Sequence, residues 1–180
     1  GSLMAQLIKP YNQFIKPHFE WRPRHIPGHP LSLSLVGHWM FNEGAGLRAH
    51  DLSGLQNHGT LTDFNFSSTS GWNPGGKFGQ ALNFDGVDDY IQTIFDLLGT
   101  GVVTISSWLC LHSFVDIAFI VSNGKTIFRT VGVNKRLEFS SNNFTTTAHS
   151  GTNSLSLLDT WYHVVVTRNG SNQANFYING

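Results

Sequence analysis

Carboxylates, histidines, a lone thiol and oxygen-rich loops are the groups with which this sequence could do chemistry. Glycoside cleavage needs two carboxyl groups facing one bond, one acting as acid and the other as nucleophile or base. The chain has three glutamates, Glu20, Glu43 and Glu138, and no Glu-x-Asp-x-x-Glu run. Asp88 and Asp89 are adjacent, so in a strand their side chains would point to opposite faces. No catalytic residue is therefore assigned, and hydrolase activity is not expected. The nine histidines (His18, His25, His29, His38, His50, His58, His112, His149 and His163) lack metal-ligand spacing, and Pro27 opposes the helical turn that would bring His25 and His29 together. No Gly-x-Ser-x-Gly elbow presents a serine nucleophile. Cys110 is the only cysteine, so no disulfide forms within the chain, and its neighbours Leu109 and Leu111 predict a buried, inert thiol.

Two other chemistries have better support. Hard cations take carboxylate, amide and carbonyl oxygens from loops. Asp51 with Asn57, and Asp85 with Asp88 around Gly86, are candidate calcium ligands. The competing role for these four residues is Asx-turn formation, in which the side chain bonds its own backbone. Sugar recognition combines an aromatic ring, against which the apolar face of a pyranose stacks, with amide hydrogen bonds. Trp72 with Asn73, Asn142 with Asn143 beside Phe144, and Asn123 are candidate ligand-binding residues. Left-handed turns and core filling are the competing roles. Gly71 to Lys77 spaces like a phosphate-binding loop, but Phe78 replaces the required hydroxyl and Pro74 sits inside, so it reads as a glycine-rich turn. In that turn Trp72 would cap the core or stand in solvent.

The elements that must position these residues are strands. Of 180 residues, 40% are hydrophobic, 13% aromatic and only 12% charged, enough apolar material for one domain with a core. Lysine plus arginine and aspartate plus glutamate each number 11, so nothing favours nucleic acid. The longest apolar stretch, Leu109 to Val121, is interrupted by His112, Ser113 and Asp116 and falls short of the roughly 18 residues of a membrane-spanning helix, so no membrane insertion is expected. Strands are predicted at Leu33 to Phe41, Ala81 to Phe84, Asp89 to Gln92, Val102 to Leu111, Ala118 to Ser122, Thr126 to Val131, Leu137 to Ser140, Thr160 to Arg168 and Ala174 to Ile178. Many short strands without intervening helices predict an all-β, two-sheet antiparallel sandwich or jelly roll. Trp39, Phe41, Leu82, Phe84, Ile105, Trp161, Val164 and Val166 are the expected core.

Gly1 to Leu3 reads as a cloning remnant, and residues 4–30 as an extended N-terminal arm before a domain at 31–180. Five of the six prolines fall in that arm, which favours extended geometry, and its aromatics Tyr11, Phe14, Phe19 and Trp21 predict docking on protein surface. No secretory leader is visible at Met4 to Lys9.

Five ordered blocks carry a resemblance. Leu35 to Gly46 (LVGHWMFNEGAG) leads to Asp51 to Gly54 and Asn57 to Leu61; Gly76 to Ile91 (GKFGQALNFDGVDDYI) follows; then come Thr104 to Trp108, Asp159 to Val165 and Phe176 to Gly180. Together they are similar to the laminin-G-like domains of the concanavalin A-like lectin and glucanase superfamily. The resemblance implies a two-sheet jelly roll, often with a structural calcium, and an extracellular, virion or cell-surface setting. In such domains further strands follow the Asn179-Gly180 turn, so the chain reads as lacking the family's final strands. The resulting open sheet edge, or the arm, would support a homo-oligomer. The implied function is a non-catalytic, lectin-like module that binds a glycan or polysaccharide. The alternative is a structural or assembly protein, such as a virion or surface component, whose arm docks on a neighbouring subunit.

Overall fold

A computed structural model describes residues 33–180 except 95, 97, 100, 115–116, 142–145 and 172. The expectations for the arm, and for Asn142 and Asn143, lie outside the described residues. Twelve strands follow in chain order: β1 (Arg48–Ala49), β2 (Gly59–Thr62), β3 (Gly71–Gly76), β4 (Gly79–Asn83), β5 (Tyr90–Thr93), β6 (Val103–Cys110), β7 (Ile117–Ser122), β8 (Ile127–Val131), β9 (Arg136–Ser141), β10 (Thr146–His149), β11 (Trp161–Arg168) and β12 (Ala174–Ile178). Every ladder is antiparallel. No α-helix occurs among the described residues, and none is long and apolar enough to cross a membrane. The fold is an all-β antiparallel sandwich of the jelly-roll type.

Period-two alternation builds the main core. In β11, Tyr162, Val164, Val166 and Arg168 are buried and the intervening residues only half-buried. The strand therefore turns one face inward. The three-stranded sheet β12-β11-β6 covers the four-stranded sheet β10-β9-β8-β7, with Phe128, Leu137, Phe139 and Leu155 between them. A second cluster, Ala49, Leu61 and Phe64, is packed by Trp39, Phe41, Trp72, Leu82 and Ile91 around β1-β2-β5 and the β3-β4 hairpin. Hydrogen bonding thus divides the described sandwich into four sheets over two apolar clusters.

Four expectations need correction. Trp161 has the parity opposite to Val164, so it lies on the outer face of β11 rather than in the core. Phe84 is 49% exposed, because β4 ends one residue before it. Leu33 to Phe41 is not a strand: it keeps a single bridge, Trp39 to Asp51, since the loop's hydrogen bonds go to side chains instead. The glycine-rich stretch from Gly71, expected as a turn, is mostly strand β3, and only Lys77 and Phe78 turn. Glycine is required where that hairpin closes: Gly79 has a φ of +86°, and at Gly76 the Gln80 backbone occupies the place of a Cβ.

Arg168 is almost fully enclosed within the sandwich. Its Nε donates to the Gly101 carbonyl at 2.7 Å and an Nη to the carbonyls of Leu98 and Gly99, while the guanidinium carbon lies 5.7 Å from the centre of the Phe139 ring. Burial lowers its pKa from the usual arginine value.

Candidate functional site: an aromatic cleft beside an acidic turn

The β3-β4 hairpin holds the Trp72 side chain over the second core cluster, and its indole N–H donates to the Gly46 carbonyl at 2.9 Å. That bond fixes the ring against the Gly44-Ala45-Gly46-Leu47 loop. Together with Phe66 these residues line an open cleft of about 380 Å³. Phe66 is 47% exposed, so the cleft has a second aromatic wall reachable from solvent. Asn73, the next residue of β3, is not among the lining residues: its Nδ2 donates to Asn83 Oδ1 at 2.9 Å and its Oδ1 accepts the Gly75 N–H at 2.7 Å, within the hairpin. Sequence reasoning found Trp72 and Asn73 but missed Phe66, which stands in a run of polar residues with no strand alternation to mark it.

The loop carrying Phe66 is tied to the second candidate feature. Ser70, completely buried, accepts the Asn65 N–H at 3.1 Å and donates to Asp89 Oδ1 at 3.0 Å. Asp89 Oδ2 accepts the Asp85 N–H at 2.8 Å, and Asp85 Oδ1 accepts the N–H of Val87 at 2.8 Å. Carboxylate oxygens of Asp85, Asp88 and Asp89 lie within 4.8 Å of one another. Asp89 was set apart from Asp88 on the expectation of a strand. Because β5 begins only at Tyr90, Asp89 remains in the turn and its carboxylate joins the other two. The donor set is wholly oxygen, which suits a hard cation.

Asp51 and Asn57 lie elsewhere and are committed to their own loop. Asp51 Oδ1 accepts the N–H of His38 at 2.8 Å and of Ser53 at 2.9 Å; Oδ2 accepts the Ser53 hydroxyl at 2.6 Å and the Asn57 N–H at 2.9 Å. Burial alone would raise the pKa of this carboxyl. The bonds from Ser53, His38 and Asn57 together outweigh it and hold the group below its ordinary range. Asn57 donates to the Val36 carbonyl at 2.7 Å, and its own carbonyl accepts the Trp39 indole N–H at 3.1 Å. Four donors account for the four acceptor positions of the carboxylate. This geometry suits the Asx-turn role.

Several of the other titratable groups are held in separate contacts. Glu43 accepts the backbone N–H of His50 at 2.7 Å and contacts its ring. Glu138, buried in β9, bonds Arg129 on β8 and His149 on β10. His112 meets Asp159 at 2.7 Å. Cys110 is half-buried, and burial, with the negative charge of Asp159, raises its thiol pKa.

A laminin-G-type family model, described as the concanavalin A-like lectin/glucanases superfamily, matches residues 85–180, more than half of the chain. The match covers the strands from β5 onward. The first block, which carries Asp51, and Trp72 both precede it. No curated protein and no solved structure matches the chain.

Proposed function

The chain belongs to the concanavalin A-like lectin/glucanase superfamily, and from that premise we propose that it is a non-catalytic, lectin-like module that binds a glycan or polysaccharide. The observation that carries this reading is the Trp72 and Phe66 cleft. Its aromatic walls offer apolar surface to a pyranose ring, and the Gly44 to Leu47 backbone supplies polar groups at its rim. Non-catalytic is the accompanying reading, because the sequence has no paired-glutamate motif and Glu43 and Glu138 sit in separate contacts, Glu43 with His50 and Glu138 with Arg129 and His149. The Asp85, Asp88 and Asp89 turn is the place where a structural calcium would sit. Asp85 and Asp88 are exposed carboxylates, and through Ser70 the turn would stiffen the loop that carries Phe66. Balanced charge supports a glycan rather than nucleic acid as partner. An extracellular, virion or cell-surface setting goes with this reading.

The test is affinity electrophoresis of the protein through gels containing neutral and acidic polysaccharides, with Trp72→Ala as control. Retardation by at least one polysaccharide, lost in Trp72→Ala while the far-ultraviolet spectrum is kept, is expected. Retardation that survives the substitution would move the site away from this cleft. For calcium, chelated protein titrated with the ion should melt at a higher temperature through mass action. A flat titration would leave the turn without a metal role.

A second reading, a structural or assembly subunit, is favoured by exposed apolar side chains next to ladder edges, among them Phe119 on β7 and Tyr177 on β12.

A further inference from the structure

The outer face of the β6-β11-β12 sheet carries an aromatic group that the cleft does not use. Trp108 on β6 stands opposite His163 on β11, with ring centres 5.1 Å apart. Phe78, at the tip of the β3-β4 hairpin, meets the same indole edge-on at 5.6 Å, and the Lys77 ammonium lies 5.0 Å from its centre. His163 is held by Ser106 at 2.9 Å. Phe78 is 66% exposed and Trp108 40%. None of the residues of β6, β11 and β12 is acidic. The surface therefore presents apolar rings and positive charge with no carboxylate on its strands to balance them. Because three neighbours already crowd the Trp108 ring, a sugar would have to displace one to stack on it. A protein surface of opposite character fits better.

The same chain carries such a surface. At the other end of β4, Phe84, Asp85, Val87, Asp88 and Tyr90 form a turn that is both acidic and apolar, with Val87 84% exposed. No lysine or arginine occurs between Lys77 and Lys125 to neutralise it locally. Five residues of strand, about 17 Å, separate the hairpin tip from this turn, so a single copy cannot bring the two together. We propose that a second copy of this chain docks its Asp85 to Tyr90 turn on the Lys77, Phe78, Trp108 and His163 surface of the first, in a head-to-tail contact. Exposed Val87 meets the aromatic rings, and Asp88 faces Lys77. The two patches differ, so the contact is heterologous and can propagate beyond a pair. It is independent of glycan binding, since it uses neither Trp72 nor Phe66.

Sedimentation equilibrium of the full chain, in chelator and without sugar, tests this. Association should be concentration-dependent and weaken as salt rises. Lys77→Glu and Asp88→Lys should each weaken it at least tenfold, because each makes the facing charges alike. An equimolar mixture of the two variants should associate again, since each supplies the patch that the other has lost. Trp108→Ala, checked for an unchanged far-ultraviolet spectrum, should also weaken it. A wild-type protein that stays monomeric throughout, charge variants that associate as wild type does, or a mixture that fails to recover would each overturn the proposal.

Discussion

Replacing Asp51 with alanine tests whether the loop around it is shaped by its own hydrogen bonds. The substitution removes four acceptor contacts, those to His38 N, Ser53 N, Ser53 Oγ and Asn57 N. The Ser53 hydroxyl can rotate toward another acceptor, and the His38 N–H is only partly buried. The Ser53 and Asn57 N–H groups are buried and left without a partner, and each such loss costs about 1–3 kcal/mol. A total near 4 kcal/mol is expected, a large share of the roughly 5–15 kcal/mol that holds a domain folded. Urea unfolding at neutral pH measures it. The deficit should also depend on pH with a definite sign. The folded carboxyl titrates below its ordinary value of 3.8, so on acidification the unfolded chain takes up the proton first. Asp51 thus contributes fully above that value, and its contribution disappears as pH falls through the lower folded pKa. The gap between wild type and Asp51→Ala should shrink in the same window. A loss below about 1 kcal/mol at neutral pH, or a gap that stays constant on acidification, would refute the reasoning.

Phe128→Ala, at a fully buried site between the two larger sheets, should cost about 3–5 kcal/mol in the same urea assay. Phe84→Ala, half-exposed against the edge of Phe64, should cost less than about 2 kcal/mol, so equal losses would show that the burial is misassigned. Cys110 should be alkylated by iodoacetamide at neutral pH more slowly than a free thiol, because burial and the charge of Asp159 disfavour its thiolate. Labelling as fast as that of a cysteine peptide would contradict this.

Much of the fold was legible because strands are short-range objects. The alternation in Trp161–Arg168 and the β-branched run in Val103–Cys110 announce their strands, and the ordered blocks near Asp85, Trp108, Trp161 and Tyr177 resemble one family. Strand β3 hid behind its glycines, which sequence reading treats as turn formers, although Gly76 allows close backbone approach to β4. The short strands β1, β2 and β10 escaped because Arg48–Ala49 and Thr146–His149 lack apolar alternation and exist through the ladders that they join.

Composition and spacing on their own determined that the chain is β-rich, balanced in charge, free of internal disulfides and without a paired-glutamate motif. They also singled out Trp72, Asn73, Asp51, Asn57, Asp85 and Asp88. Tertiary structure decided what these residues face. Phe66 joins Trp72 across six positions, Asp89 turns toward Asp85, and Asp51 gathers donors from His38 to Asn57. Which rings meet around Trp108 was likewise settled by the register of β6 on β11 and by the hairpin that delivers Phe78. The physical reason is that side-chain type follows from the chain, whereas hydrogen-bond satisfaction and ring contact depend on groups distant in sequence, and only folding fixes the distances between them.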